Sequence, residues 1–100
     1  SAPEPALNIR RIKEIKDAVK MPLVLHGGSG NTDSDFLAAI DAGVNIIHIS
    51  TELRLSWRRG LERGLRENPD EIAPYKIFVP AMDNVKRGVR QRLQLFNKLV

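Results

Sequence analysis

The chain has 100 residues, 42% of them hydrophobic and 28% charged, with no cysteine and a formal net charge of +4 from 16 Lys and Arg against 12 Asp and Glu. That length suits one small domain or part of a larger one, and the ordinary apolar-to-charged balance excludes wholesale disorder. Without thiols, disulfides and thiolate metal ligands are excluded, so only His, Asp or Glu could hold a metal.

Ser1-Ala2-Pro3-Glu4-Pro5 lacks the charged start and apolar middle of a signal peptide. No apolar run anywhere approaches the roughly 20 residues that cross a bilayer. A soluble, cytoplasmic protein with no membrane partner is expected. Asn8 is placed to cap a helix in which Ile9, Ile12, Ile15 and Val19 recur at three- and four-residue spacing, and Pro22 ends any continuation. Leu23-Val24-Leu25 is a short unalternated apolar run, the pattern of a strand buried on both faces.

The loop Gly27-Gly28-Ser29-Gly30-Asn31 leads to Thr32, with Asp35 three residues on, which predicts a capped second helix through Phe36, Leu37 and Ile40. Gly43 supplies a left-handed stop. Val44-Asn45-Ile46-Ile47-His48-Ile49-Ser50 then reads as a second β-branched strand. Ser50 or Thr51 starts a third helix carrying Leu53, Trp57, Leu61 and Leu65 at four-residue spacing and stopping before Asn68-Pro69.

That helix also carries Arg54, Arg58, Arg59, Arg63 and Arg66, a face that could attract phosphate. Glu52, Glu62 and Glu67 are interspersed, which fits a solvated helix surface. With 5% aromatic residues and no recognised binding motif, no nucleic-acid partner is expected. Asp70 to Val79 reads as a connector with at most short helical potential. Pro80 suits the first turn of a last helix, whose Met82, Val85, Val89, Leu93 and Phe96 are expected to form its buried stripe.

Strands separated by helices of this length are βαβ units, which demand a parallel sheet covered on both faces. Two strands cannot make that sheet alone, and their outer edges lack neighbours. The chain therefore reads as the end of a larger α/β protein, or as one that must associate; a homo-oligomer, dimer or tetramer, is expected.

In parallel α/β folds the site lies beyond the carboxyl ends of the strands. Both histidines fall there, His26 ending the first strand and His48 near the end of the second. Three glycines after His26 let a backbone approach an anion, Ser29 adds a hydroxyl, and the loop precedes a helix amino end. Ser50 and Thr51 make a matching pair before the next helix. Two adjacent βα loops of this kind are how barrels commonly hold a phosphate. Each feature read alone is equally an ordinary turn, cap or hydrogen-bonded histidine.

The stretch PLVLHGGSG followed by DAGVNIIHISTELR resembles the class II, zinc-dependent fructose-bisphosphate and tagatose-bisphosphate aldolases, which typically show an LHGGSG-like stretch and then a GV-x-KINVDT-[DE]-LR-like one. PALNIRRIKEIKDAV resembles the family's preceding helix, and ENPDEIAPYKIFVPAMDNVKRGVRQRLQLF its C-terminal helices. The resemblance implies a (β/α)₈ barrel of which residues 1–100 form the C-terminal segment, about strands seven and eight with their helices, the N-terminal remainder lying outside this chain.

Carried over position by position, the resemblance makes His26 a zinc ligand, and Gly27, Gly28, Ser29, Ser50 and Thr51 the contacts of the substrate phosphate. The substrate class implied is a ketose bisphosphate, cleaved to dihydroxyacetone phosphate and an aldehyde. Two further zinc histidines and the acidic catalytic residue lie upstream in the family, so no catalytic residue is assigned among these positions. His48 stands where the family usually has Asn and Ser50 where it usually has Asp; the first makes His48 a candidate substrate contact and puts ordinary aldolase specificity in question. An isolated chain of this length is expected to be inactive. The alternatives are a sugar-phosphate-binding relative without catalysis and a fragment serving only assembly.

Overall fold

A computed structural model of the chain describes residues 6–27 and 30–98. The start from Ser1 to Pro5 and the loop residues Gly28 and Ser29 lie outside the described residues. The elements are α1 (Ile9–Val19), β1 (Leu23–Leu25), α2 (Asp33–Ala42), β2 (Val44–Ile47), α3 (Thr51–Glu67), α4 (Pro74–Ile77) and α5 (Val79–Phe96). The expected order holds, with a single helical turn, α4, inside the connector. β2 is shorter than expected, ending before His48. β1 and β2 pair in parallel, Leu23 with Val44, Val24 with Ile46 and Leu25 with Ile47, with an irregularity after Leu23. The backbone gathers into two compact units, one running to Ile49 and taking in the chain from Gln94, the other Ser50–Leu93.

In the first unit each helix end has a local cause. The Asn8 side chain accepts the Arg11 amide at 3.0 Å, satisfying a donor that the first turn of α1 leaves open. At the other end Lys20 turns left-handed, with φ of 49°, and its amide closes on the Lys16 carbonyl. The Lys16 amine then donates to the Met21 carbonyl and to Asn45 Oδ1, which also accepts the Leu23 amide at 3.1 Å. One asparagine thus ties α1 to both strands.

The α2 capping box forms in both directions: Asp35 N donates to Thr32 Oγ1 at 3.1 Å, and Thr32 N to Asp35 Oδ2 at 3.2 Å. Gly43 ends the helix at φ of 123°, where a Cβ would also fall 2.5 Å from Lys16 Cγ. Conformation and space both require glycine there.

The core of this unit is Phe36, Ala39, Val44 and Leu95, with Phe36 fully enclosed and packed edge-to-face on Phe96 at 5.4 Å between centroids. The strands are not buried on both faces, as their composition predicts. Leu23 and Leu25 are half-buried, while Val24 and Ile46 are 41% and 46% exposed. Val24 and Ile46 are partners across the ladder and so share a face, which the described residues leave open.

In the second unit the buried surface of α3 is glycine rather than its leucines. Gly60 and Gly64 are enclosed, whereas Trp57 and Leu65 are exposed. A Cβ on Gly60 would run into the Ala81 backbone, and one on Gly64 into the Ile77 carbonyl. Ala81 of α5 stands opposite Gly60, and Gly88 of α5 faces Leu53 and Ser56; both are enclosed. Small residues on both surfaces let the two helices approach closely, since interaxial distance depends on the side chains at the contact.

That approach overturns the expected stripe of Met82, Val85, Val89, Leu93 and Phe96. Met82 and Leu93 are 64% and 57% exposed, Val89 is also exposed, and Val85 and Phe96 are half-buried. Within the second unit the buried residues of α5 are Ala81 and Gly88, seven apart. The α3–α5 pair is further held by Asn84 donating to the Ser56 carbonyl at 2.9 Å, and by a two-pronged Arg92–Glu52 pair at 2.7 and 2.9 Å.

Candidate active site

β1 ends at Leu25, and His26 and Gly27 follow it. β2 ends at Ile47, yet the His48 amide still donates to the Leu25 carbonyl at 2.9 Å, carrying the parallel ladder one residue further. The register that pairs Leu25 with Ile47 therefore sets the next residues of the two strands side by side. His26 Nδ1 and His48 Nδ1 stand 3.2 Å apart, with ring centroids at 4.6 Å and planes at 84°. Both residues are exposed.

Sequence reasoning located both histidines at strand ends but gave them separate tasks. Their contact depends on the irregularity after Leu23: parallel strands that started together without it would set position 26 opposite 47, and the one-residue shift sets it opposite 48.

Gly27 has a φ of 64°, with nothing within 4 Å of where a Cβ would sit. The demand is conformational, and the backbone there is open to approach. At the start of α2 the dipole is already answered by its own carboxylates, Asp33 and Asp35, and by the capping box. That counts against an anion at this helix end. In the second unit, Ser50 occupies the N-cap of α3 without a side-chain capping hydrogen bond, so capping does not consume its hydroxyl. Thr51 is the first residue of the same helix and is exposed.

The arginine face of α3 is solvated, and two of its arginines pair along the helix. Arg58 donates to Glu62 at 2.8 Å and Arg63 stands 4.0 Å from Glu67. The hydrogen bond to Glu62, and then its charge, hold the Arg58 guanidinium above its ordinary range. Pairs of this kind are ordinary on a solvated helix face.

Among the described residues no group of three or more His, Cys, Asp or Glu gathers as a metal site. Catalytic zinc generally takes three protein ligands. The donor chemistry at the strand ends fits zinc as part of such a set: two exposed imidazoles at a spacing that one cation can span. No helix among the described residues is long and apolar enough to cross a membrane.

Residues 1–99 match the profile of the family described as fructose-bisphosphate aldolase class-II. The chain is 37% identical over 98 residues to a fructose-bisphosphate aldolase of Ureaplasma parvum serovar 3, a match covering 93% of this chain and 34% of that protein. It is 43% identical over 93 residues to a sulfofructosephosphate aldolase of Alkalicoccus urumqiensis, covering 93% and 32%. It is 38% identical over 90 residues to the D-tagatose-1,6-bisphosphate aldolase subunit GatY of Klebsiella oxytoca, covering 90% and 32%. The crystal structure of the YdjI aldolase from Escherichia coli K12 superposes with a TM-score of 0.74 at 35% identity, over 92% of this chain and 34% of that one. The chain spans about a third of the length of each of these relatives.

Proposed function

The chain belongs to the class-II fructose-bisphosphate aldolase family, and from that membership we propose that residues 1–100 are the C-terminal segment of a single barrel domain that cleaves and condenses a ketose bisphosphate, with dihydroxyacetone phosphate as one product. The observation that carries this reading is His26 at the carboxyl end of β1, standing beside the equivalent position of β2. Strand ends are where α/β barrels place their chemistry.

His26 would hold zinc through a neutral imidazole nitrogen, with further ligands coming from outside this chain. When bound, zinc supplies Lewis-acid polarisation of the substrate ketone. The chain's own residues bind and orient. Gly27 offers backbone in a conformation that larger residues rarely adopt. With Gly28 and Ser29 it is the first proposed phosphate contact, and Ser50 and Thr51 are the second. The Ser50 hydroxyl, unused by capping, is available for that purpose. A cytoplasmic homo-oligomer is part of the same proposal.

The test is retro-aldol turnover of fructose-1,6-bisphosphate, tagatose-1,6-bisphosphate and sulfofructose phosphate by the longer protein containing this segment. Turnover that a chelator abolishes and zinc restores is expected; chelator-insensitive turnover overturns the zinc assignment. A second reading, a phosphate-ester-binding relative without catalysis, is favoured by His48 and Ser50 replacing the family's usual Asn and Asp. Binding of these esters without cleavage would select it.

A further inference from the structure

We propose that His48 is a second metal ligand beside His26, so that β1 and β2 each deliver one imidazole nitrogen to the same divalent cation. The inference rests on the assignment of His26 as a metal ligand, and it enlarges the donor set this segment contributes from one to two.

The geometry starts from the backbone. The His48 amide bond to the Leu25 carbonyl extends the ladder past the end of β2, which fixes the two residues as neighbours independently of their side chains. The rings then meet through their Nδ1 atoms at 3.2 Å. Two nitrogens bound tetrahedrally to zinc at about 2.0–2.1 Å stand roughly 3.3–3.4 Å apart, and at a right angle on a six-coordinate ion about 2.9 Å apart. The observed separation falls between these values.

A plain imidazole–imidazole hydrogen bond accounts for the contact less well. In a straight N–H···N bond both ring radii would add in full to the nitrogen separation. Here the centroids are only 1.4 Å farther apart than the nitrogens, 4.6 against 3.2 Å. The contact is therefore bent, which weakens a hydrogen bond. A bent pair leaves the two nitrogens able to turn toward a third atom beside the line between them. Both rings are exposed, so a hydrated cation can reach that point. Neutral imidazole is also the commonest protein ligand for borderline cations.

The test is zinc titration of the ¹⁵N-histidine-labelled longer protein containing this segment, read as the chemical shifts of the His26 and His48 ring nitrogens, with H26Q and H48N as variants. Affinity by itself does not decide, because removing a residue that merely orients a ligand also weakens metal binding by about 10- to 100-fold. The ring nitrogens do. Saturation at one equivalent, with Nδ1 of both rings moving to metal-bound positions and with weaker binding in each variant, is expected.

Movement of a His26 nitrogen alone would overturn the proposal, making His48 a positioning residue or a substrate contact. Absence of any zinc-dependent shift would overturn it as well. The wild-type readout stands if either variant fails to fold. It is also separable from the enzymatic reading: chelator-insensitive turnover with both rings ligating would remove the zinc-aldolase function and keep the site. Zinc-dependent turnover with a silent His48 would do the reverse.

Discussion

Replacing Gly60 by alanine sets two physical terms against each other, and the structure decides between them. Alanine in a helix interior is favoured over glycine by about 0.8–1.0 kcal/mol, so a Gly60 that served only to continue α3 would yield a stabilised variant. The added methyl, however, would lie 2.6 Å from the Pro80 carbonyl oxygen and 2.7 Å from the Ala81 nitrogen. These are backbone atoms of α5, unable to swing aside as a side-chain tip can. Overpacking of this kind costs typically about 1–3 kcal/mol, and rigid neighbours put the cost at the upper end. The balance is a net loss of about 1–2 kcal/mol. Urea denaturation followed by far-ultraviolet circular dichroism measures it, with the midpoint moving down at unchanged slope. A G60A variant as stable as the parent, or more so, would refute close helix approach as the reason for the glycine.

Phe36→Ala removes the one large side chain that is completely enclosed among the described residues, and with it the edge-to-face contact to Phe96, and is expected to cost about 3–5 kcal/mol in the same assay. Thr32→Ala breaks the capping box and should cost about 1 kcal/mol, whereas Ser50→Ala removes no capping bond and should stay within about 0.5 kcal/mol. In the longer protein Ser50→Ala should instead raise the KM for phosphate esters. The 100-residue chain supplied with zinc should cleave none of the ketose bisphosphates, because its described residues gather no three-ligand metal site; zinc-restored cleavage by this chain would contradict that.

Local signals in the sequence carried the elements well. Asn8, Thr32 with Asp35, Gly43 and Pro22 each mark an end where the backbone needs a specific donor, acceptor or dihedral, and such needs are met by residues a few positions away. The reading failed where the cause was distant. The stripe of Met82, Val85, Val89 and Leu93 is a sound helical period, but which face of α5 is buried depends on what α3 offers opposite. Gly60 and Gly64 carry no apolar signal along their own helix, and their role as a docking surface emerges only against the chain they face. Strand burial failed for the same reason: Val24 and Ile46 have the composition of residues covered on both faces, and composition does not say whether the covering elements belong to the same chain.

The site repeats this division at closer range. That His26 and His48 lie at strand ends follows from apolar runs and loop signals alone, but their distance of 3.2 Å follows from register. Register is a property of two segments together, set here by which residue of β1 the His48 amide reaches. Where the family's typical stretch has Asn, this chain places an imidazole directly beside a metal-competent imidazole. An asparagine oxygen prefers harder cations and hydrogen-bond donors, while imidazole prefers borderline transition ions. On the proposed two-histidine site, the substitution would bear first on which metal is held and how tightly, and only through that on substrate preference. H48N separates the two consequences: a change in metal affinity with the substrate preference retained places the residue on the cation, whereas altered discrimination among the ketose bisphosphates at unchanged zinc affinity places it on the substrate.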